Sequence, residues 1–141
     1  MYLDSAYIAK YYVNESDSAA VRRQIQRAAH VCSSILALVE VTCVFHRHVR
    51  ERALTAAQGQ ALTDLFRTHV EFGVWNLVAM TEQLLLRTAS LVRNLPRRVP
   101  LRAGDAIHLA TAVELHEPEI WTKDRHLLAA ARHCGLTGKS V

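Results

Sequence analysis

The sequence predicts an α/β fold, a three-layer α/β/α sandwich in which a short central parallel sheet lies between two layers of helices. Three observations lead to this fold class. Short apolar runs alternate along the chain with longer segments of helical periodicity. Half of the 141 residues are hydrophobic and 21% are charged, which is enough for a buried core. Neither an internal repeat nor a linker interrupts the pattern, so we predict a single domain over residues 1–141.

The predicted strands are short apolar runs that are bounded by polar residues or turn formers. They comprise residues 1–3, 30–33, 72–77, 120–122 and, as a last edge strand, 136–141. Strands that alternate with helices are joined by right-handed crossovers, which produce a parallel sheet with helices on both of its faces.

Most of the predicted helices follow residues whose side chains can accept hydrogen bonds from the free amides of a first turn. The helices comprise residues 6–13, 16–29, 35–52, 55–69, 81–94, 102–116 and 125–133. Ser5 is the expected cap of the first helix, Ser33 and Ser34 are those of the third, and Thr81 is that of the fifth. Pro118 ends the sixth helix because proline cannot continue the hydrogen-bond ladder.

The composition excludes several classes of protein. No apolar run approaches the ~20 residues that a membrane-spanning helix needs. The N-terminal residues do not form a secretory signal, so we expect a cytoplasmic protein. The three cysteines lack the spacing of a zinc site or a disulfide framework and are interpreted as ordinary thiols. The formal net charge of +4, carried mostly by arginine, is compatible with a nucleic-acid partner.

Four acidic residues occupy positions from which they can reach one edge of the predicted sheet. Asp4 follows the first strand directly, and Asp124 follows the 120–122 strand after one lysine. Glu40 and Asp105 lie in the early turns of two helices that can begin at the same edge. Ligands of open parallel sheets bind outside the carboxyl ends of the strands. All four carboxylates can therefore line one cleft.

Each acid also has a purely structural interpretation. Asp124 can be a helix N-cap, Asp105 can complement a helix dipole, and Asp4 can be a turn residue at a strand end. Glu40 fits such an interpretation least, because it is the only charged residue in the apolar run 35–45. A buried, unpaired carboxylate there would cost several kcal/mol. We therefore expect Glu40 to need a cation, and no lysine or arginine lies within one helical turn of it.

Carboxylate oxygens without histidine or cysteine select Mg²⁺ or Mn²⁺. Such ions can activate water and stabilise the leaving oxygen in phosphodiester hydrolysis. Taken together, Asp4, Glu40, Asp105 and Asp124 favour a metal-dependent nuclease over four unrelated capping residues.

The sequence resembles the PIN-domain ribonucleases, in particular the VapC-like toxins of bacterial toxin–antitoxin pairs. The segments that carry this resemblance are short, but they occur in the family's order over nearly the whole chain. They are Leu3-Asp4-Ser5 with Lys10 and Tyr11, Ser33-Ser34 followed by Glu40, Asp105-Ala106-Ile107-His108-Leu109-Ala110, and Trp121-Thr122-Lys123-Asp124 with Leu127 and Gly135-Leu136.

The resemblance implies a PIN-like fold whose acidic site is formed by the same four acids, with Asp124 as the least dependable metal contact. It also implies that the hydroxyls of Ser5 and Thr122 assist these acids. The expected cofactor is Mg²⁺ or Mn²⁺. The expected partners are an RNA substrate, a cognate antitoxin protein and a second copy of the chain in a homodimer.

Four further residues are candidates for supporting roles. His108 lies three residues after Asp105, and we expect a packed histidine that steadies the site rather than a metal ligand. Arg97 and Arg98 lie in the loop before the Asp105 helix, where they can contact phosphate or remain solvated. Lys123 has the same two alternatives beside Asp124.

Three functions are compatible with these residues. The first is an Mg²⁺-dependent endoribonuclease that acts as the toxin of a VapBC-type pair. The second is a housekeeping RNA-processing nuclease without an antitoxin. The third is a catalytically idle PIN fold that binds RNA or protein.

Overall fold

The computed structural model describes residues 1–141 and confirms the predicted α/β fold with its parallel sheet. The five strands lie in the order β3-β2-β1-β4-β5, and every neighbouring pair is parallel. The strands are β1 (Tyr2–Leu3), β2 (Cys32–Ser34), β3 (Asn76–Val78), β4 (Glu119–Trp121) and β5 (Thr137–Lys139). The first strand in sequence is therefore the central strand in space.

Seven α-helices connect these strands and cover the sheet. They are α1 (Ser5–Tyr12), α2 (Ser18–Arg27), α3 (Ala37–Arg50), α4 (Ala56–Glu71), α5 (Glu82–Asn94), α6 (Ala103–Glu114) and α7 (Arg125–Ala131). A short 3-10 helix, Arg132–Cys134, follows α7. No helix combines the length and the apolar character that crossing a membrane requires.

The central strand separates two hydrophobic clusters. Leu3 packs in one cluster with Ile8, Phe45 and other side chains from helices α1 to α4. Tyr2 packs in the other cluster with Leu109 and other side chains from α6, β4 and α7. Successive side chains of a strand point to opposite faces of the sheet, so two adjacent residues belong to two different cores. Burial on both faces explains why this strand is a continuous apolar run.

Several predicted boundaries differ from the structure at helix starts. Asp4 rather than Ser5 caps α1, because the Asp4 carboxylate accepts the Tyr7 amide at 2.9 Å. Ser33 and Ser34 lie within β2, and α3 begins three residues later without a side-chain cap. The predicted cap Thr81 is confirmed, since its hydroxyl accepts the Leu84 amide at 3.1 Å.

The predicted strand 72–77 began too early. Residues 72–75 connect α4 to β3, and the Phe72 side chain is 82% exposed. Its aromatic character favoured a strand, but the turn after α4 places this residue in solvent. β2 likewise begins at Cys32 and not at residue 30.

The sheet pairing places the ends of two strands side by side. Leu3 of β1 is aligned with Trp121 of β4, and the Asp4 amide donates to the Trp121 carbonyl at 3.1 Å. Asp4 and Thr122, the residues that follow these strands, are consequently neighbours although 118 positions separate them in the sequence.

Candidate active site

A cleft of about 700 Å³ opens at the carboxyl ends of β1 and β4 and beside the first turns of α3 and α6. The four acids predicted from the sequence all line it, as do Ser5, His108 and Lys123. The other lining residues are Ala6, Cys43, Val44, Arg47 and Arg102. The expectation that the acids share one cleft therefore agrees with the geometry of the structure.

Asp4 is the most deeply buried of the four acids. One carboxylate oxygen accepts the Tyr7 amide at 2.9 Å, and the other accepts a short hydrogen bond from the Thr122 hydroxyl. Burial raises the pKa of Asp4, and these two hydrogen bonds offset part of the rise. Asp4 is thus a helix cap, and not merely the strand-end turn residue of its structural interpretation, while it also lines the cleft.

Thr122 connects two acids of the cleft. Its fully buried hydroxyl donates to Asp4 and accepts the backbone amide of Asp124 at 2.9 Å. A hydroxyl is suited to this position because it donates and accepts at the same time. Thr122 therefore fixes the Asp4 carboxylate relative to the start of α7.

The surroundings of Glu40 differ from the expectation of a deeply buried, isolated carboxylate. Its side chain is 37% exposed, because the apolar run 35–45 forms a helix with one face toward the cleft and solvent. Its partners come from distant parts of the chain. The Ser5 hydroxyl donates to Glu40 Oε2 at 2.6 Å, and His108 Nε2 lies 2.8 Å from the same oxygen.

These partners determine the ionisation of Glu40. Partial burial acts to raise its pKa, but the hydrogen bonds from His108 and Ser5 lower it overall. Glu40 is consequently held as a carboxylate without any lysine or arginine nearby on its own helix.

His108 is only 2% exposed and has partners on both ring nitrogens. Nδ1 lies 2.9 Å from the Tyr2 hydroxyl, and Nε2 lies within 3.0 Å of both Ser5 Oγ and Glu40 Oε2. We assign the proton to Nε2, so that the ring donates to Glu40 and accepts from Tyr2. In this arrangement His108 steadies Glu40, and both of its nitrogens are engaged within the protein.

Tyr2 was missed in the sequence analysis although it completes this chain of hydrogen bonds. The available signal was its position in β1, where it must face the sheet side opposite to Leu3. That side is the one that α6 covers with His108.

Asp105 lies in the first turn of α6 and makes no side-chain hydrogen bond comparable to those of Asp4 and Glu40. Burial raises its pKa, and the negative charge of Asp124 raises it further. Asp105 is thus a carboxylate that the protein itself leaves without a full set of partners.

Gly104, the residue before Asp105, permits a close approach of two helices. A Cβ atom at this position would lie 2.7 Å from Glu40 Oε1, which is inside the contact distance of real side chains. The first turn of α6 therefore lies directly against the Glu40 carboxylate. Only glycine leaves that space free.

Asp124 caps α7, since its Oδ1 accepts the amides of His126 at 2.6 Å and Leu127 at 3.1 Å. The structural interpretation of this acid therefore holds, and the side chain also lines the cleft. Lys123 beside it forms a salt bridge of 3.0 Å with Asp17.

Arg97 and Arg98 lie in the loop before the Asp105 helix, as the sequence predicted. Both are exposed in the loop between α5 and α6, and neither lines the cleft. Four residues outside any helix or strand separate this pair from α6, and proximity in sequence to Asp105 does not bring the pair to the cleft. The arginines that do line the cleft are Arg47 and Arg102.

The donor set of the cleft fits a hard divalent cation. Four carboxylates face the space, while the two nitrogens of His108 are already engaged. No group of three histidine, cysteine or acidic side chains is drawn together tightly enough to enclose an ion. Mg²⁺ suits such an open site, since it keeps several waters and takes one or two carboxylates from a protein.

Comparison with known proteins places this chain in a family. The crystal structure of VapC20 from Mycobacterium tuberculosis, a sarcin–ricin loop cleaving toxin, matches the chain with a TM-score of 0.70. The match covers 92% of this chain and 93% of that one at 14% identity, so it shows a shared fold. No curated protein matches the sequence. The family model of the PIN domain matches residues 1–133. The chain therefore belongs to the PIN-domain family, as its sequence motifs predicted.

Proposed function

We propose that this protein is an Mg²⁺- or Mn²⁺-dependent endoribonuclease and the toxin of a VapBC-type pair. The observation that carries the proposal is that Asp4, Glu40, Asp105 and Asp124 come from four separate parts of the chain and line one cleft. Burial raises the pKa of Asp105, and the charge of Asp124 beside it adds to the rise. A fold retains such a cluster when the carboxylates have a cation to bind.

In this proposal Asp4, Glu40 and Asp105 would hold the ion, one or two of them directly and the rest through its waters, and Asp124 would complete the acidic site. The chemistry that a divalent ion would supply between these carboxylates is activation of a water molecule and stabilisation of the negative charge that develops on the phosphodiester. The protein supplies orientation. Thr122 and the Tyr7 amide fix Asp4, while Ser5 and His108 fix Glu40, so these two carboxylates are ordered before a ligand arrives.

The role as a toxin is a more specific proposal than the nuclease activity. It is supported by the PIN-domain match and by the fold shared with VapC20, which cleaves the sarcin–ricin loop. An RNA substrate, a cognate antitoxin and a homodimer belong to the same proposal. The two alternatives are a housekeeping nuclease without antitoxin and an idle PIN fold that binds RNA or protein.

Asp105→Asn and Asp4→Asn should each reduce RNA cleavage by about 100-fold or more, because several kcal/mol of charge stabilisation depends on the ion that these acids hold. Cleavage of a purified RNA pool and Mn²⁺ binding by calorimetry provide the measurements. Asp64→Asn is the matched control, since this acid is exposed on α4 and outside the cleft. Full activity with unchanged Mn²⁺ binding in both site variants would contradict the metal assignment.

Asp105→Asn should also stabilise the metal-free protein at neutral pH. The folded protein raises the pKa of Asp105, so it binds the proton more tightly than the unfolded chain does. The contribution of this carboxyl to the free energy of unfolding therefore falls as the pH rises through the window between its ordinary and its raised pKa. In EDTA, the variant should have a higher melting temperature than the wild type at neutral pH. This difference should disappear as the pH falls below that window. A variant with a lower melting temperature than the wild type at neutral pH would contradict the raised pKa of Asp105.

Gly104→Ala should separate folding from function. Alanine in place of a helical glycine ordinarily stabilises a helix by about 1 kcal/mol. Here the added methyl group meets Glu40 Oε1, at the end of a flexible side chain, and displaces the carboxylate. We expect an unchanged or raised melting temperature together with a loss of cleavage of about 10–100-fold. Ala103→Ser, at an exposed position of the same turn, is the control and should keep full activity.

Expression in cells distinguishes the toxin from its alternatives. The wild-type chain should arrest growth and create new RNA 5′ ends, whereas Asp105→Asn should do neither. Co-expression of a small protein encoded beside the gene should restore growth if that protein is the antitoxin. Cleavage without growth arrest would favour the housekeeping nuclease. RNA binding without cleavage in Mg²⁺ or Mn²⁺ would favour the idle binding module.

A further inference from the structure

The cleft contains positive charge as well as the four acids. Lys123, Arg47 and Arg102 all line it. The Lys123 ammonium is already paired, because Asp17 Oδ2 lies 3.0 Å from its Nζ. Arg47 and Arg102 are exposed, and neither takes part in any salt bridge of the protein. Two unpaired guanidinium groups therefore border a cluster of carboxylates without neutralising it.

Arg47 lies on the same helix as Glu40, and Arg102 lies at the start of the helix that contains Asp105. Arg47 follows Glu40 by seven residues on α3, which is about two helical turns and hence the same helix face. Cys43 and Val44 lie between them on this face and also line the cleft. Arg102 occupies the N-cap position of α6, three residues before Asp105. One arginine thus belongs to the α3 wall of the cleft and the other to the α6 wall.

A polyanionic substrate needs such groups. A backbone phosphate that approaches four carboxylates is repelled, and a divalent ion offsets this repulsion only at the reacting phosphate. The phosphates next to it require their own cations. A guanidinium group binds phosphate through two parallel hydrogen bonds, and a side chain without an existing partner gives up nothing to do so.

We propose that Arg47 and Arg102 bind the RNA backbone phosphates on either side of the scissile phosphate at the acidic site. This inference rests on the proposed nuclease function and specifies how that site holds its substrate. The recognised chemistry is the phosphate backbone, so the two arginines add affinity without selecting a base sequence. Arg97 and Arg98, for which the sequence left phosphate contact open, do not line the cleft.

The chain contains matched controls for both positions. Arg50 lies three residues after Arg47 on the same helix, is exposed, and does not line the cleft. Arg98 precedes Arg102 by four residues and is likewise exposed outside the cleft. Replacing any of the four by alanine removes the same charge from the surface. A difference between the members of each pair therefore reports position and not net charge.

The test measures binding of a fluorescently labelled single-stranded RNA of mixed sequence. The full chain carries Asp105→Asn to prevent cleavage, and the titrations are performed in Mg²⁺ at several KCl concentrations. Arg47→Ala and Arg102→Ala should each weaken binding by on the order of tenfold and lower the slope of log K against log salt by about 0.7. Arg50→Ala and Arg98→Ala should change binding much less. In the cleavage-competent chain, both cleft variants should raise KM and leave kcat nearly unchanged.

The possible failures are distinguishable. If the parent binds RNA and the cleft variants bind as the control variants do, the phosphate contacts are refuted while the nuclease proposal stands. If Arg50→Ala and Arg98→Ala weaken binding equally, the effect is one of net charge and the site assignment is also refuted. If the Asp105→Asn parent and the unmodified chain both bind no RNA, and the unmodified chain cleaves none, the proposed function itself fails.

Discussion

The cleft depends on the buried carboxylate of Asp4 at the end of the central strand. Pairing of β1 with β4 brings Asp4 next to Thr122, whose hydroxyl donates to the carboxylate, and α1 begins with an amide that does the same. These contacts allow a charged group to remain in the interior, where an unpartnered carboxylate would be costly. Burial nevertheless raises the Asp4 pKa, so the fold keeps this acid ordered at some cost in stability.

The other acids differ in how well their surroundings stabilise the charged carboxylate. Glu40 is held by Ser5 and by a histidine that Tyr2 orients from the opposite side, and its pKa is lowered. Asp105 has no comparable partners, and Asp124 beside it adds repulsion. The protein thus fixes two carboxylates of the cleft and leaves one uncompensated, an arrangement that suits the cation of the proposed function.

The meeting of the four acids was predictable because parallel strands end at one edge of a sheet, and the motif order supported it. The surroundings of Glu40 were not predictable. Its apolar neighbours suggested a buried helix, whereas one face of that helix lines the cleft. The histidine partner of Glu40 lies 68 residues away in the sequence. Gly104 and Arg47 were missed for a related reason. Gly104 matters because α6 contacts Glu40 of α3 at this position, and the sequence alone does not show that contact. Arg47 lines the cleft because of the orientation of α3, which the sequence alone does not give either. Arg97 and Arg98, in contrast, are close to Asp105 in the sequence but do not line the cleft.

Helix ends explain how these carboxylates coexist without a lysine or arginine paired to each. Asp4 and Asp124 are the N-caps of α1 and α7, while Glu40 and Asp105 lie in the first turns of α3 and α6. The N-terminus of a helix carries a partial positive charge and unpaired amides, so each of the four positions favours an anion. Partial charges of this size offset only part of the repulsion, and the charge of Asp124 still adds to the rise in pKa that burial causes at Asp105. Capping and metal binding are therefore not competing interpretations of these residues, because the helix ends that need the acids also aim them at the place where a divalent ion would bind.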